Sequence, residues 1–308
     1  MATPTYEFAS HERFPAGLIK GRKPLLVGGR TGYHNELLSA DHEPGANGAL
    51  SALLTAISDR AQARGYDCLL LDHLTSDSLR ALEGVFDAEF SLRSAEAVIH
   101  NPGGTFDTYL ESIGGRKAYK IRNEAKKFAR SGLTIDTASL AECVDDAIPL
   151  VIKTMQRYGH EVDHADVRSF MDEQVRCVDG ESIVFRCRDE AGTMIGCAVC
   201  FVWSDALYFR VCGFDYERLR GAYEYFNTAF YRPLRFMTDN GLTRLHLGTG
   251  PLDAKSQRGA TVHPLWACRI DLPLRAGGLR GLDQDADVSL RSELLPQGAS
   301  VVDDEWVL

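Results

Sequence analysis

Two cations follow a glycine-rich loop late in the chain. In residues 241–269, GLTRLHLGTGPLDAKSQRGATVHPLWACR, the loop Gly248-Thr249-Gly250-Pro251 precedes Lys255 and Arg258. Glycine lets a backbone approach a bound group closely. A single helical turn over 253–259 sets Lys255 and Arg258 on one face, because they lie three positions apart. Paired cations beyond a Gly-x-Gly loop suit a phosphate, a carboxylate or a developing oxyanion. The same residues also read as a basic surface turn joining two strands. Spacing alone leaves both readings open.

The elements that must position this loop can be read from the pattern around it. Asn240-Gly241 is a helix stop, and 242–247 is a brief apolar run too short for a helix. Before it, 221–240 is a long amphipathic helix with Tyr223, Phe226, Phe230, Leu234 and Met237 on one stripe. Segments 182–188, 193–203 and 206–214 read as three antiparallel strands joined by polar turns. Within the third, Tyr208 and Arg210 alternate with Leu207 and Phe209 and so share one face, either lining a cleft or facing water. Upstream are helices over 140–158 and 165–177. The loop between them carries His160 among several titratable groups.

The first half repeats this logic more loosely. Asn47 is a plausible cap for a helix to about residue 64, and strands follow at 67–73 and 89–100. Residues 64–72 (RGYDCLLLD) resemble 240–248 (NGLTRLHLG), each following a helix and preceding a polar turn. Asn101-Pro102-Gly103-Gly104 marks a boundary, which gives a domain over 1–104, a second over 105–275, and an extended tail over 276–308.

Composition narrows the class. The chain has 308 residues, 44% hydrophobic and 25% charged, as expected of a globular protein. No run approaches the ~20 apolar residues that span a bilayer, and the N-terminus lacks an apolar signal core. A cytoplasmic protein without membrane contact is expected. Most of the eight cysteines lie in strand-like apolar runs and read as free thiols. Cys197-x-x-Cys200 has no second Cys or His pair to complete a metal set, so no metal is expected. The net charge of −9 opposes general nucleic-acid affinity, yet the helix over 116–130 carries seven cations against Glu124 alone. Such a helix is either a solvated face or a local phosphate contact.

The order of basic helix, two helices, three-stranded meander, long helix, strand, short helix and strand resembles the GNAT acyltransferase fold. More narrowly, residues 105–272 resemble the Fem-type (FemABX-like) aminoacyl- and peptidyl-transferases. The features that carry the resemblance are the basic helix, CGFDYERLRGAYEYFNTAFYRPLRF and LHLGTGPLDAKSQRGA. The resemblance implies an α/β (α+β) GNAT-like fold in two tandem domains, the first degenerate. It implies amide formation by attack of an amine on an activated acyl group, with Lys255 supporting the tetrahedral intermediate. Arg258 would hold a substrate phosphate or carboxylate, and Gly248 and Gly250 would admit the acyl group.

GNAT enzymes bind coenzyme A through an (Arg/Gln)-x-x-Gly-x-(Gly/Ala) loop. Here Arg218-Leu219-Arg220-Gly221-Ala222-Tyr223 stands in that place, with Tyr223 where a small residue is expected. The departure favours an aminoacyl-tRNA donor, with no tightly bound cofactor. Arg218, Arg220 and Gly221 at a helix N-terminus, and Lys120, Arg122 and Lys126 on the basic helix, are the candidate donor-phosphate contacts. For general base, Asp215 and Asp253 are chosen from a set that also holds Glu217, Glu224, His160 and His246, because they flank the two loops expected to face each other. Tyr208, Arg210 and His160 complete the expected substrate contacts. The leading reading is an aminoacyl-tRNA-dependent transferase acting on a small-molecule or peptide amine. The alternatives are an acyl-coenzyme A N-acyltransferase and a non-catalytic binding protein of the same fold. The oligomeric state is not legible.

Overall fold

The computed structural model describes residues 16–29, 33–37 and 48–307. The chain divides into two compact units, residues 1–96 with 262–308, and residues 97–261. The expected cap Asn47 lies outside the described residues.

The first unit holds helices α1 (Ala16–Ile19), α2 (Gly48–Gln62) and α3 (Ser76–Arg80), and strands β1 (Pro24–Val27), β2 (Cys68–Leu74) and residues 88–96 of β3 (Ala88–His100). From the end of the chain come β9 (Thr261–Asp271), β10 (Leu279–Gly281), α10 (Gln284–Leu294) and β11 (Ser300–Val301). Strand order is β1-β2-β9-β3, with β10 on β3 and β11 on β9. Residues 276–308 therefore form ordered elements where the sequence suggested an extended tail. The signal was weak because each element is short, and their anchors are single side chains. Asp287 accepts from Ser91 Oγ at 2.6 Å, and buried Trp306 donates to Val262 O at 3.3 Å.

The second unit holds α4 (Phe106–Ser112), the basic helix α5 (Gly115–Ala129), α6 (Val144–Arg157), α7 (His164–Val178), α8 (residues 224–239) and α9 (Leu252–Ser256). Its sheet runs from residues 97–100 of β3 through β8 (Arg244–His246), β7 (Ala206–Phe214), β6 (Met194–Trp203) and β5 (Ser182–Arg188) to β4 (Thr134–Ala138). The meander β5-β6-β7 is antiparallel, as expected, whereas β7 and β8 run parallel. The mixed α/β class expected from the sequence is the class observed. On one face, α6 and α7 bury Leu150, Val151 and Met171 against Val184, Cys197 and Val199. Burial of this kind contributes about 1.5–3 kcal/mol for each large side chain.

Helix α8 departs from its predicted form. It starts at Glu224 rather than Gly221, because Tyr223 takes a left-handed backbone with φ of 62°. Residues Asn227–Tyr231 form a π turn, and all five are buried. The wider turn brings Phe230 and Tyr231 inward together, which a 3.6-residue stripe does not predict. Among the described residues no helix is long and apolar enough to cross a membrane.

The turn after α9 is fixed by close packing. Gly259 has φ of +92°, and a Cβ there would stand 2.6 Å from both Tyr109 Oη and Ile113 Cγ2. Gly259→Ala is expected to destabilise the protein by about 2–4 kcal/mol, from backbone strain and overpacking together. Denaturant unfolding tests this, and an unchanged midpoint would refute the close approach.

Candidate active site

Strands β7 and β8 stay paired for only three positions, Ala206–Tyr208 against Arg244–His246. Beyond His246 the chain turns to β3, where Leu247 N donates to Ala97 O at 2.9 Å and Gly248 O accepts from Ala97 N at 3.1 Å. β7 continues to Phe214 paired with β6 alone. The strands therefore part. Past Tyr208, no residue of β7 pairs with β8 among the described residues, and residues 208–212 are half-buried. Two parallel strands that separate in this way leave a cleft between them that a carbonyl-bearing substrate can enter.

Lys255 belongs to this cleft. It is 4% exposed, and Nζ donates to Gly248 O at 2.7 Å. Gly248 has φ of 70°, the left-handed region that directs its carbonyl here. Across the gap, burial pushes the Cys212 thiol of β7 up to about 12, against the pull of the Lys255 charge. A thiol so placed is protonated at neutral pH and is no nucleophile. Tyr208 stacks on buried His246, with ring centroids 5.5 Å apart, and His246 Nδ1 accepts from Gly248 N at 3.3 Å.

Arg258 does something other than hold substrate. It is 1% exposed, and every direction of its guanidinium is used. Nη2 pairs with Glu124 Oε2 at 3.0 Å, Nε donates to Tyr231 Oη at 3.0 Å and Nη1 donates to Ala254 O at 2.8 Å. Its Cζ lies 3.3 Å from the Phe226 ring centroid. Tyr231 Oη also donates to Glu124 Oε2, and burial raises the Tyr231 pKa. Glu124, the one acid of the basic run, is 4% exposed by side chain. It falls on the buried stripe of α5 with Ala118, Ile121 and Phe128. A lone acid at an apolar position was the available signal, and its meaning went unread. Tyr109 and Tyr231 gave no signal beyond being aromatic.

The other expected residues scatter. Asp215 accepts from Lys153 Nζ at 2.8 Å, which holds its carboxyl below the usual carboxylate range and makes it a poor base. Asp253 is exposed and accepts from Gln257 Nε2 at 2.7 Å. His160 is exposed in the α6–α7 loop. Arg210 lies 5.0 Å from the Phe170 ring, and a Cβ at Gly250 would stand 3.7 Å from Lys255 Nζ.

The loop expected to hold donor phosphate is neutralised from within. Arg218 pairs with Asp189 at 2.5 Å, and Arg220 pairs with Glu190 at 3.1 Å. The carboxylate of Glu224, 3% exposed, accepts from Arg220 N and from Ala222 N, the latter at 2.9 Å. Gly221 stands between those two amides with φ of 70°. The loop amides that would greet a phosphate already hold an anion. On the basic helix, Lys120 donates to Gln257 Oε1. Arg122 and Lys126 are exposed, without an acidic partner among the described residues.

Comparison with known proteins follows this geometry. The profile of the FemAB-like family, described as peptidoglycan biosynthesis/recognition, matches residues 31–271. Similar solved structures include the L-PGS of Bacillus licheniformis, with a TM-score of 0.54 and 11% identity over 80% of this chain and 78% of that one. The C-terminal domain of an Agrobacterium fabrum protein described as a lysylphosphatidylglycerol synthetase has a TM-score of 0.53 and 13% identity, covering 79% of this chain and 76% of its own. FemX has a TM-score of 0.53 and 13% identity, over 72% of this chain and 77% of its own. At such identities the likeness is one of fold. No curated protein matches the sequence.

The buried Arg258–Glu124 pair should behave as a coupled unit. Arg258→Leu or Glu124→Leu alone leaves a buried charge unpaired and is expected to cost about 3–5 kcal/mol. The double variant should cost less than the sum of the two. A double-mutant cycle from urea unfolding measures the coupling, and additive single effects would refute it.

Proposed function

This chain belongs to the FemAB-like family, and on that premise we propose that it is an aminoacyltransferase, moving an aminoacyl group from aminoacyl-tRNA onto the amine of a small molecule or peptide. The observation that carries the reading is Lys255, a buried cation held at the mouth of two parting strands. In the transfer, the acceptor amine attacks the ester carbonyl of the donor. A C–N bond forms, the carbonyl oxygen takes negative charge, and the C–O bond to the ribose then breaks. Lys255 stabilises the oxyanion. Its bond to Gly248 O fixes the amine beforehand, so little reorganisation is needed when charge develops. The ribose oxygen leaves with a proton, and the attacking amine loses one.

Glu224 supports an RNA donor over coenzyme A. A pyrophosphate entering the 218–222 loop would have to displace a buried carboxylate from Arg220 N and Ala222 N and break two ion pairs. Arg258, Glu124 and Tyr231 act as positioning residues, because they fix the helix that carries Lys255 and touch no reacting atom in this scheme.

Lys255→Ala is expected to lower transfer of a labelled aminoacyl group from charged bulk tRNA to an amine mixture by about 10²–10³-fold. The melting temperature should move by no more than a few degrees. Millimolar coenzyme A should not compete. Undiminished transfer by the variant would remove the oxyanion role, and competition by coenzyme A would redirect the donor to an acyl thioester.

A further inference from the structure

A cavity of about 520 Å³ lies in the second unit between α5, β4 and the π turn of α8. Phe128, Leu133 and Ile135 make it apolar on one side. Asn227, Arg232 and Arg235 of α8 give it a polar side. It is a different place from the Lys255 cleft. The two are joined through Tyr231, which lines the cavity while its hydroxyl ends on Glu124 and Arg258. Its size suits a single small-molecule moiety.

Three observations specify the occupant. First, Asn227 is 5% exposed, and its Nδ2 donates to Tyr223 O at 2.9 Å. The residue lines the cavity. A side-chain amide on a cavity wall can meet the polar edge of a ligand. Second, the Arg235 guanidinium lies 4.0 Å from the Phe106 ring centroid, and Phe106 also lines the cavity. That stack offers a planar surface on which an aromatic ring can continue. Third, the rim is cationic and unpaired. Ala125 and Ala129 of α5 line the cavity, and Arg122 and Lys126 share their helix face by i, i+3 and i+4 spacing. None of Arg122, Lys126, Arg232 and Arg235 has an acidic partner among the described residues.

An apolar slot with a stacking surface, a side-chain amide on its wall and cations without acidic partners beside it fits a flat base attached to phosphates. An aliphatic chain would make no use of the Arg235–Phe106 stack or of the dispersed charges. A base inside a duplex would not reach the slot, since its faces are stacked and its edge is paired. We infer that this cavity is a subsite for one unpaired nucleotide. The base enters toward Asn227 and the flanking phosphates lie on Arg122, Lys126, Arg232 and Arg235. Resting on the RNA-donor reading above, the nucleotide belongs to the single-stranded end of the donor, short of the aminoacylated residue.

The test uses the full chain and fluorescently labelled single-stranded RNA hexamers, read by anisotropy at two salt concentrations. An adenosine hexamer should bind about tenfold more tightly than an abasic ribose-phosphate hexamer of equal charge. Arg232→Glu with Arg235→Glu should weaken binding at least tenfold and flatten its salt dependence. Ala129→Trp fills the slot and keeps every charge. It should abolish the preference over the abasic hexamer and weaken adenosine binding to a similar degree, with thermal melts confirming that each variant folds. AMP and CMP as competitors separate a free-nucleotide site from a strand site. Effective competition at hexamer concentrations would place the affinity in the single nucleotide and overturn the strand assignment. Equal binding of the adenosine and abasic hexamers, or indifference to Ala129→Trp, would overturn the nucleotide slot. Aminoacyl transfer is assayed in parallel with the same variants. Transfer that persists with an indifferent cavity discards the subsite and keeps the donor reading. Base-selective hexamer binding without any transfer discards the donor reading instead.

Discussion

The second unit depends on one buried ion pair. Glu124 comes from α5, Tyr231 from α8 and Arg258 from the turn after α9, and the three meet with almost no solvent contact. Taking a guanidinium and a carboxylate out of water costs several kcal/mol per ion, so the arrangement persists only because each polar direction is satisfied. The same requirement fixes geometry. Arg258 is three residues after Lys255, so any shift of α9 that relaxed the cleft would strip Arg258 of Glu124 or Ala254 O. The position of the Lys255 amine is therefore set from behind, by a pair that never needs to touch substrate. The Phe226 face under the guanidinium and the Tyr109 hydroxyl on Arg258 O restrict the remaining freedom.

Charge is sorted with the same economy. The chain is acidic overall, yet its acids are placed where they cancel particular cations. Asp189 and Glu190 neutralise Arg218 and Arg220, and Glu224 fills the amides between them. The loop that would be an anion site on spacing alone is thereby closed. The face formed by α5 and the start of the second part of α8 is left uncancelled. On a chain of net negative charge, a cationic face of this kind orients an approaching polyanion as well as attracting it.

Much of the scaffold was legible because it obeys simple periods. The three-stranded meander, the helices over 144–157 and 164–178, and the basic helix follow from alternation and amphipathicity, and Lys255 stands out by its glycine loop. What escaped has a physical cause in each instance. Arg258 and Lys255 share a helix face on paper, but a cation on a short helix can point into the core when a carboxylate waits there. The sequence does not show that Glu124 of α5 lies beside it. The Glu224 carboxylate closes the 218–222 loop over a distance of two to four residues, yet only the left-handed Tyr223 makes that turn possible. The π turn shifts the inward face of α8 within a stripe that reads as regular. The closing elements of the first unit are too short to carry a period of their own.

The chemistry of the cleft also bears on how two substrates would share it. Covalent relay through a thiol requires a thiolate, and burial pushes Cys212 of β7 up to about 12, so it is no anion at neutral pH. Under the proposed transfer, the amine meets the donor carbonyl directly, with both substrates bound at once. Strands that part after three residue pairs provide for that need. The gap between them leaves room for two partners, and Lys255 stands beside it. Catalysis of this kind asks for little from acid–base groups and much from position. A deeply buried clamp behind one lysine supplies position at the cost of burying two charges.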